Sequence, residues 1–110
     1  MPSQDPSTLF EQCSRALAQG APLPVPDVAR LLGVAEPVLD RLASLAYPLS
    51  RRQDGLQYLM RDLVLSLRQR AASSGLEAAV RELAGRALEP GPSLLAEFAA
   101  MHEGEPPAQP

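Results

Sequence analysis

This chain of 110 residues contains no lysine and no tryptophan, it has one cysteine, and only 4% of its residues are aromatic. The single cysteine, Cys13, excludes an internal disulfide bond. Because aromatic side chains are so scarce, leucine, valine and alanine must form the core, which suits packed helices better than a large sheet. All ten basic residues are arginine, which we attribute to codon bias and give no functional weight.

Several signatures of chemistry are also missing from the sequence. There is no glycine-rich phosphate loop, and Ser3, Ser7 and Ser14 have no histidine partner that could activate them. His102 has neither a second histidine nor a cysteine pair with which to bind a metal. We therefore expect no enzymatic activity, no cofactor and no metal. Cys13 follows a helical apolar pattern, which favours a buried, inert thiol over a redox sensor.

No apolar run approaches the length of a membrane span, and the N-terminus lacks the apolar region of a signal peptide. A cytoplasmic protein is the simplest prediction. The formal net charge is −3, which argues against nucleic-acid binding by the whole surface. However, residues 30–70 hold seven arginines against four acidic residues, a local charge of +3, and both flanking segments are acidic.

We expect a flexible arm over residues 1–6, a single helical domain over residues 7–102 and a disordered tail over residues 103–110. The tail is rich in proline and glutamate, a composition that cannot bury enough apolar surface to fold.

Two capping-box patterns predict helix starts. Thr8 is followed by Glu11 three residues later, and Ser74 is followed by Glu77 in the same way. The first helix should end at Gly20, because glycine readily adopts the left-handed conformation that closes a helix.

The middle of the chain predicts two short helices bent around Gly33, the second beginning at Glu36 with Pro37 in its first turn. Residues 53–55 then form an Asp-Gly turn signal typical of a tight hairpin. We therefore predict short strands at residues 48–51 and 56–59, with helical periodicity resuming near Arg61.

Residues 23–67 resemble the winged helix-turn-helix of MerR-type regulators and of the related excisionase-like proteins. Residues 25–34 match the first helix and the turn, residues 36–45 match the second helix, and residues 55–58 match the return strand of the wing. The resemblance implies a mainly α fold with a helix-turn-helix core, a short β-hairpin wing and extra terminal helices. An all-helical fold is the alternative.

The resemblance also implies that the second helix docks in the major groove and that wing arginines contact the DNA backbone. Arg41 and Ser44 are the plausible base readers, and Arg51 and Arg52 are the candidate phosphate contacts. Arg51 and Arg52 could instead form an ordinary solvated turn. Further along the chain, Arg68 and Arg70 either flank the DNA backbone or only solubilise a helix end.

Glu36 and Asp40 are expected on the same outward face as Arg41. They could hold Arg41 in an ion pair within its own helix, and two carboxylates would oppose phosphates at close range. These acidic positions favour a second function class, an antiactivator or adaptor that binds a transcription factor or another protein through apolar helix faces without contacting DNA.

The C-terminal third carries more apolar helix surface than a small winged unit needs. The apolar residues of these helices form either the core or the interface of a homodimer. We favour the homodimer, because small domains often bury surplus apolar faces against a second copy. The candidate interface residues are Leu76, Val80, Leu83, Ala87, Leu94, Phe98 and Met101.

Overall fold

The computed structural model describes residues 6–101, with only the backbone of Met101. The tail over residues 103–110, His102 and nearly all of the predicted arm lie outside these residues. The described chain is helical without any strand. Its elements are α1 (Pro6–Ala18), α2 (Val25–Leu32), α3 (Glu36–Ala46), α4 (Arg52–Ser74), α5 (Leu76–Leu88) and α6 (Pro92–Met101).

Helix α4 is the centre of the bundle, and its 23 residues span about 34 Å at 1.5 Å per residue. Helices α3 and α5 pack along it most extensively, α1 packs on α2, and α6 contacts both α3 and α4. None of the described helices is both long and apolar enough to cross a membrane. The largest fully buried side chains include Leu39, Leu42, Leu59, Met60, Leu63, Leu67, Leu83, Leu94 and Phe98.

The first half of the bundle follows the local sequence signals. Leu9 and Cys13, four residues apart on one face of α1, are both buried, and Gly20 lies beyond the helix end with a φ of 71°. Gly33 ends α2 with a φ of 72°, and its N–H donates to the Arg30 carbonyl at 3.1 Å. Helix α3 starts at Glu36, as the sequence predicts.

Neither predicted capping box lies at a helix start. Thr8 is inside α1, which already includes Pro6, a residue well suited to the first turn of a helix. Ser74 is the last residue of α4, and α5 begins at Leu76 without a side-chain cap. Gly75, with a φ of 88°, makes the bend between them, a backbone conformation that serine would adopt only with strain.

The predicted β-hairpin is wrong. Residues 48–51 form a short turn, and residues 56–59 lie in the first turns of α4. Asp54 suits the first turn of a helix, where the dipole favours a negative charge. Gly55 is buried in α4, where an added Cβ would lie 3.6 Å from the Ser50 Cβ and 3.7 Å from the Tyr47 Cβ. The Asp-Gly pair therefore lies in the first turns of a helix, and the mainly helical class is confirmed without a wing.

Candidate nucleic-acid interface

An open cleft of about 350 Å³ lies where the C-terminal half of α3 meets the first turn of α4. Ser44 of α3 lines one side, and Arg51 and Arg52 line the other. Arg41 lies three residues before Ser44 on the exposed part of α3, outside the cleft lining. The structure thus brings together three of the four side chains that the sequence predicts as DNA contacts.

The turn between α3 and α4 is held by backbone and aromatic contacts. The Ser50 N–H donates to the Tyr47 carbonyl at 3.2 Å, and the Gly55 N–H donates to the Arg51 carbonyl at 2.7 Å. The Tyr47 ring packs against Tyr58 of α4, with centroids 5.7 Å apart and planes tilted by 49°. Arg51 is therefore positioned at the N-terminus of α4, where the helix dipole contributes partial positive charge.

Arg52 forms a two-pronged ion pair with Asp40 across the cleft. Its Nε donates to Oδ1 of Asp40 at 2.9 Å, and its terminal nitrogen donates to Oδ2 at 3.1 Å. These hydrogen bonds hold the pKa of Asp40 below its ordinary value, although partial desolvation acts in the opposite direction. The Asp40 carboxylate stays ionised, and its charge is matched by that of Arg52.

The ion pairs expected within α3 do not form. Arg41 makes no ion pair with Glu36, with Asp40 or with any other residue that the structure describes, and neither does Arg51. Both side chains are exposed. Asp40 pairs with Arg52 instead, twelve residues away, a partner that helical spacing alone could not predict. The cleft lining therefore holds two arginines against one carboxylate.

The structure places most of the candidate dimer-interface residues inside a single chain. Leu83, Ala87, Leu94 and Phe98 are each at most 3% exposed and pack in the shared core. The side chain of Met101 lies outside the described residues. The two remaining candidates, Leu76 and Val80, are half-buried on α5.

Arg70, expected either to flank the DNA backbone or to solubilise a helix end, instead joins an ion-pair cluster. Its two terminal nitrogens donate to the two carboxylate oxygens of Glu97 at 2.7 and 2.8 Å. The Ser66 hydroxyl donates to the same carboxylate at 2.5 Å, and Glu82 lies 3.6 Å from the Arg70 Nε. Arg70 thus links α4, α5 and α6. Arg68 is exposed.

Within residues 6–101, no group of three or more histidine, cysteine or acidic side chains is placed to hold a metal ion. No family model matches the chain, and comparison with curated proteins and with solved structures finds no similar protein. The resemblance to MerR-type and excisionase-like regulators therefore stays a prediction.

Proposed function

We propose that this protein is a small transcriptional regulator of the cytoplasm that binds duplex DNA through α3 and the start of α4. The observation that supports this function best is the convergence of Ser44, Arg51 and Arg52 on one cleft beside the exposed face of α3. In this proposal α2 and α3 form the helix-turn-helix, and the N-terminal turn of α4 takes the place of the predicted wing.

In the proposed complex, α3 enters the major groove. The 11-residue helix exposes Arg41 and Ser44 three residues apart, on neighbouring positions of one face. An arginine can donate two hydrogen bonds to a guanine edge, and a serine hydroxyl can bond to several bases. The Ser44 hydroxyl donates to the Asp40 carbonyl at 3.2 Å, so its oxygen can still accept a hydrogen bond from a base.

Arg51 is the proposed phosphate contact. It has no ion-pair partner among the described residues, and it lies at a helix N-terminus, where backbone N–H groups and the dipole also favour an anion. Arg52 has a different role in the proposal, because its pairing with Asp40 matches the charge of the carboxylate that would otherwise repel a phosphate in the cleft.

Fluorescence anisotropy with a labelled random-sequence duplex tests this proposal. We expect binding at low salt that weakens steeply as salt is added, because each phosphate contact releases counterions. The double variant Arg41→Glu/Arg51→Glu should abolish binding. The control is Arg81→Glu on α5, which changes an exposed arginine outside the proposed interface and should retain most of the affinity. Absence of binding at low salt, or equal loss in both variants, would contradict the proposal.

A protein-binding adaptor or antiactivator is the second candidate. It is favoured by two exposed leucines at the same junction, Leu45 at 47% and Leu49 at full exposure, since apolar side chains at an exposed junction can anchor a protein partner. The two functions differ in their response to salt, because an apolar protein interface would change little between low and high salt. Leu49→Ser should weaken such an interface while leaving DNA affinity intact.

We also propose a homodimer, which would match a palindromic DNA site. Leu76 and Val80 are half-buried and Leu88 is 53% exposed, so these side chains of α5 are the candidates for contact with a second copy. Sedimentation equilibrium measures this directly: Leu88→Glu should convert a dimer to a folded monomer. A monomeric wild-type chain at high concentration would exclude the dimer.

A further inference from the structure

The Asp40–Arg52 ion pair lies between two open grooves beside α3. Both residues line the cleft of about 350 Å³ at the α3–α4 junction, and both also line a neighbouring groove of about 570 Å³ next to the start of α3. The Asp40 side chain keeps 38% of its surface exposed while it is paired. The carboxylate is therefore held by the fold and is still open to a ligand that approaches α3.

Arg52 fixes the orientation of the Asp40 carboxylate from the neighbouring helix. Its Nε and one terminal nitrogen donate to different carboxylate oxygens, at 2.9 and 3.1 Å. A forked pair of this kind constrains the plane of the carboxylate as well as its position. The ring contact between Tyr47, which follows α3, and Tyr58 of α4 ties the two helices together. The carboxylate is thus oriented before any ligand binds, which reduces the ordering cost of binding.

The paired carboxylate keeps part of its hydrogen-bonding capacity. An ionised carboxylate offers about four acceptor positions, and the hydrogen bonds from Arg52 use one on each oxygen. The same hydrogen bonds lower the pKa of Asp40, so at neutral pH the group accepts hydrogen bonds and donates none. The charge of Arg52 offsets the repulsion that a lone carboxylate would experience from phosphates. Asp40 therefore suits a ligand group that donates a hydrogen bond.

Asp40 shares the exposed face of α3 with the two proposed base readers. Successive residues of a helix are about 100° apart, which places Asp40 about 40° from Ser44 on one side and Arg41 about 60° from Ser44 on the other. In the major groove, an aspartate accepts from the N4 amino group of cytosine, and an arginine donates to O6 and N7 of guanine. One helix face thus offers an acceptor and a donor that suit the two bases of G·C pairs.

We propose that Asp40 is a base-reading residue that selects cytosine, and that Arg52 is the residue that positions it. This role rests on the proposed DNA binding by α3, and it adds the class of site that the protein prefers. The preferred duplexes have a cytosine facing Asp40 and a guanine facing Arg41. The cytosine amino group donates to a free acceptor position of Asp40 while Arg52 stays paired with the carboxylate. Arg52 acts through Asp40 and needs no base contact of its own.

Selection of binding duplexes from a random-sequence pool tests the role of Asp40. The wild-type chain should select a cytosine, and Asp40→Asn should select adenine at that position, because asparagine bonds to the N6 and N7 edge of adenine. In anisotropy titrations, exchange of the cytosine for another base should weaken wild-type binding about 5- to 150-fold. The control Glu77→Gln removes the same charge from an exposed, paired carboxylate on α5 and should select the wild-type sequences.

The Asp40→Asn chain distinguishes a base reader from a carboxylate that only repels phosphates. A carboxylate that only repels phosphates predicts that Asp40→Asn binds every duplex more tightly and selects unchanged sequences. That result would overturn the cytosine role and leave DNA binding by α3 intact. Absence of wild-type binding at low salt would instead contradict the proposed function, and the role of Asp40 with it.

A double-mutant comparison tests Arg52 as a positioning residue. Arg52→Gln removes the fork and its charge, so it should weaken binding of the wild-type chain to the cytosine duplex. It should weaken binding of the Asp40→Asn chain to the adenine duplex much less, because the two residues act as a unit. Binding by the double variant also shows that a chain without Arg52 is folded. Equal weakening in both backgrounds would overturn the positioning role.

Discussion

Arg70 of α4 holds Glu97 of α6 by two parallel hydrogen bonds, and both side chains are largely buried, at 15% and 27% exposure. The same arginine lies 3.6 Å from Glu82 of α5, so one side chain links the three C-terminal helices. Charge-assisted, forked pairs of this kind are the strong class of side-chain hydrogen bonds. The position of α6 therefore depends on a polar cluster as well as on Phe98 and Leu94.

The Arg70–Glu97 pair should make stability depend on pH. Hydrogen bonds from Arg70 lower the pKa of Glu97 in the folded chain, so the stabilisation is complete above the ordinary glutamate pKa of about 4.3 and disappears as pH falls through the folded value. Glu97→Gln should lower the free energy of unfolding by about 1.5–3 kcal/mol at pH 7. Urea denaturation should show this difference shrinking below about pH 4. Glu77→Gln, in a largely exposed pair with Arg81, should change stability far less.

Substitution of Gly55 distinguishes the helix from the predicted hairpin, and substitution of Gly33 gives the contrasting result for a glycine with a positive φ. Gly55→Ala should stabilise the chain by about 0.5–1 kcal/mol, because Gly55 is helical and its surroundings leave room for a methyl group. Gly33→Ala should destabilise it by about 1–2 kcal/mol, because the φ of Gly33 is positive. Destabilisation by Gly55→Ala in urea denaturation would favour a hairpin turn at residues 53–55.

A glutamate substitution should have opposite effects on folding at Leu83 and at Leu88. Leu83 is fully buried, so Leu83→Ala should cost about 2–5 kcal/mol and Leu83→Glu should prevent folding. Leu88 is 53% exposed, so Leu88→Glu should fold with nearly unchanged stability. Circular dichroism during thermal unfolding measures both. A folded Leu83→Glu chain would show that Leu83 lies at an interface rather than in the core.

Cys13 should be unreactive in the folded chain. It is 1% exposed, and burial together with the nearby negative charge of Asp27 raises the pKa of its thiol. A chromogenic disulfide reagent should modify Cys13 slowly in buffer and rapidly in urea. The thiolate is the reactive form, and unfolding removes the burial that disfavours it. Ser74→Cys in a Cys13→Ala background supplies an exposed thiol as control. Rapid modification of native Cys13 would indicate local opening of α1.

Sequence alone determined where α1 and α2 end and where α3 begins, because those signals are local. Gly20 and Gly33 can adopt a positive φ at little cost, and Pro37 has no N–H to lose in a first helical turn. The apolar spacing of Leu9 and Cys13 likewise marks a buried helix face without reference to other elements. The helical class followed from the leucine-rich, aromatic-poor composition.

Only the tertiary structure decided between outcomes that the local signals allow equally. Asp54 and Gly55 suit either a hairpin turn or the start of a helix, and in the fold they belong to α4, where Gly55 packs beside Tyr47 and Ser50. Asp40 could pair with a neighbour on α3, yet the packing of α4 brings Arg52 into reach. Leu83 could face a twin or the core, and burial against the other helices places it in the core. In each case the deciding contact joins residues that are distant in sequence or on different elements, so no local pattern encodes it.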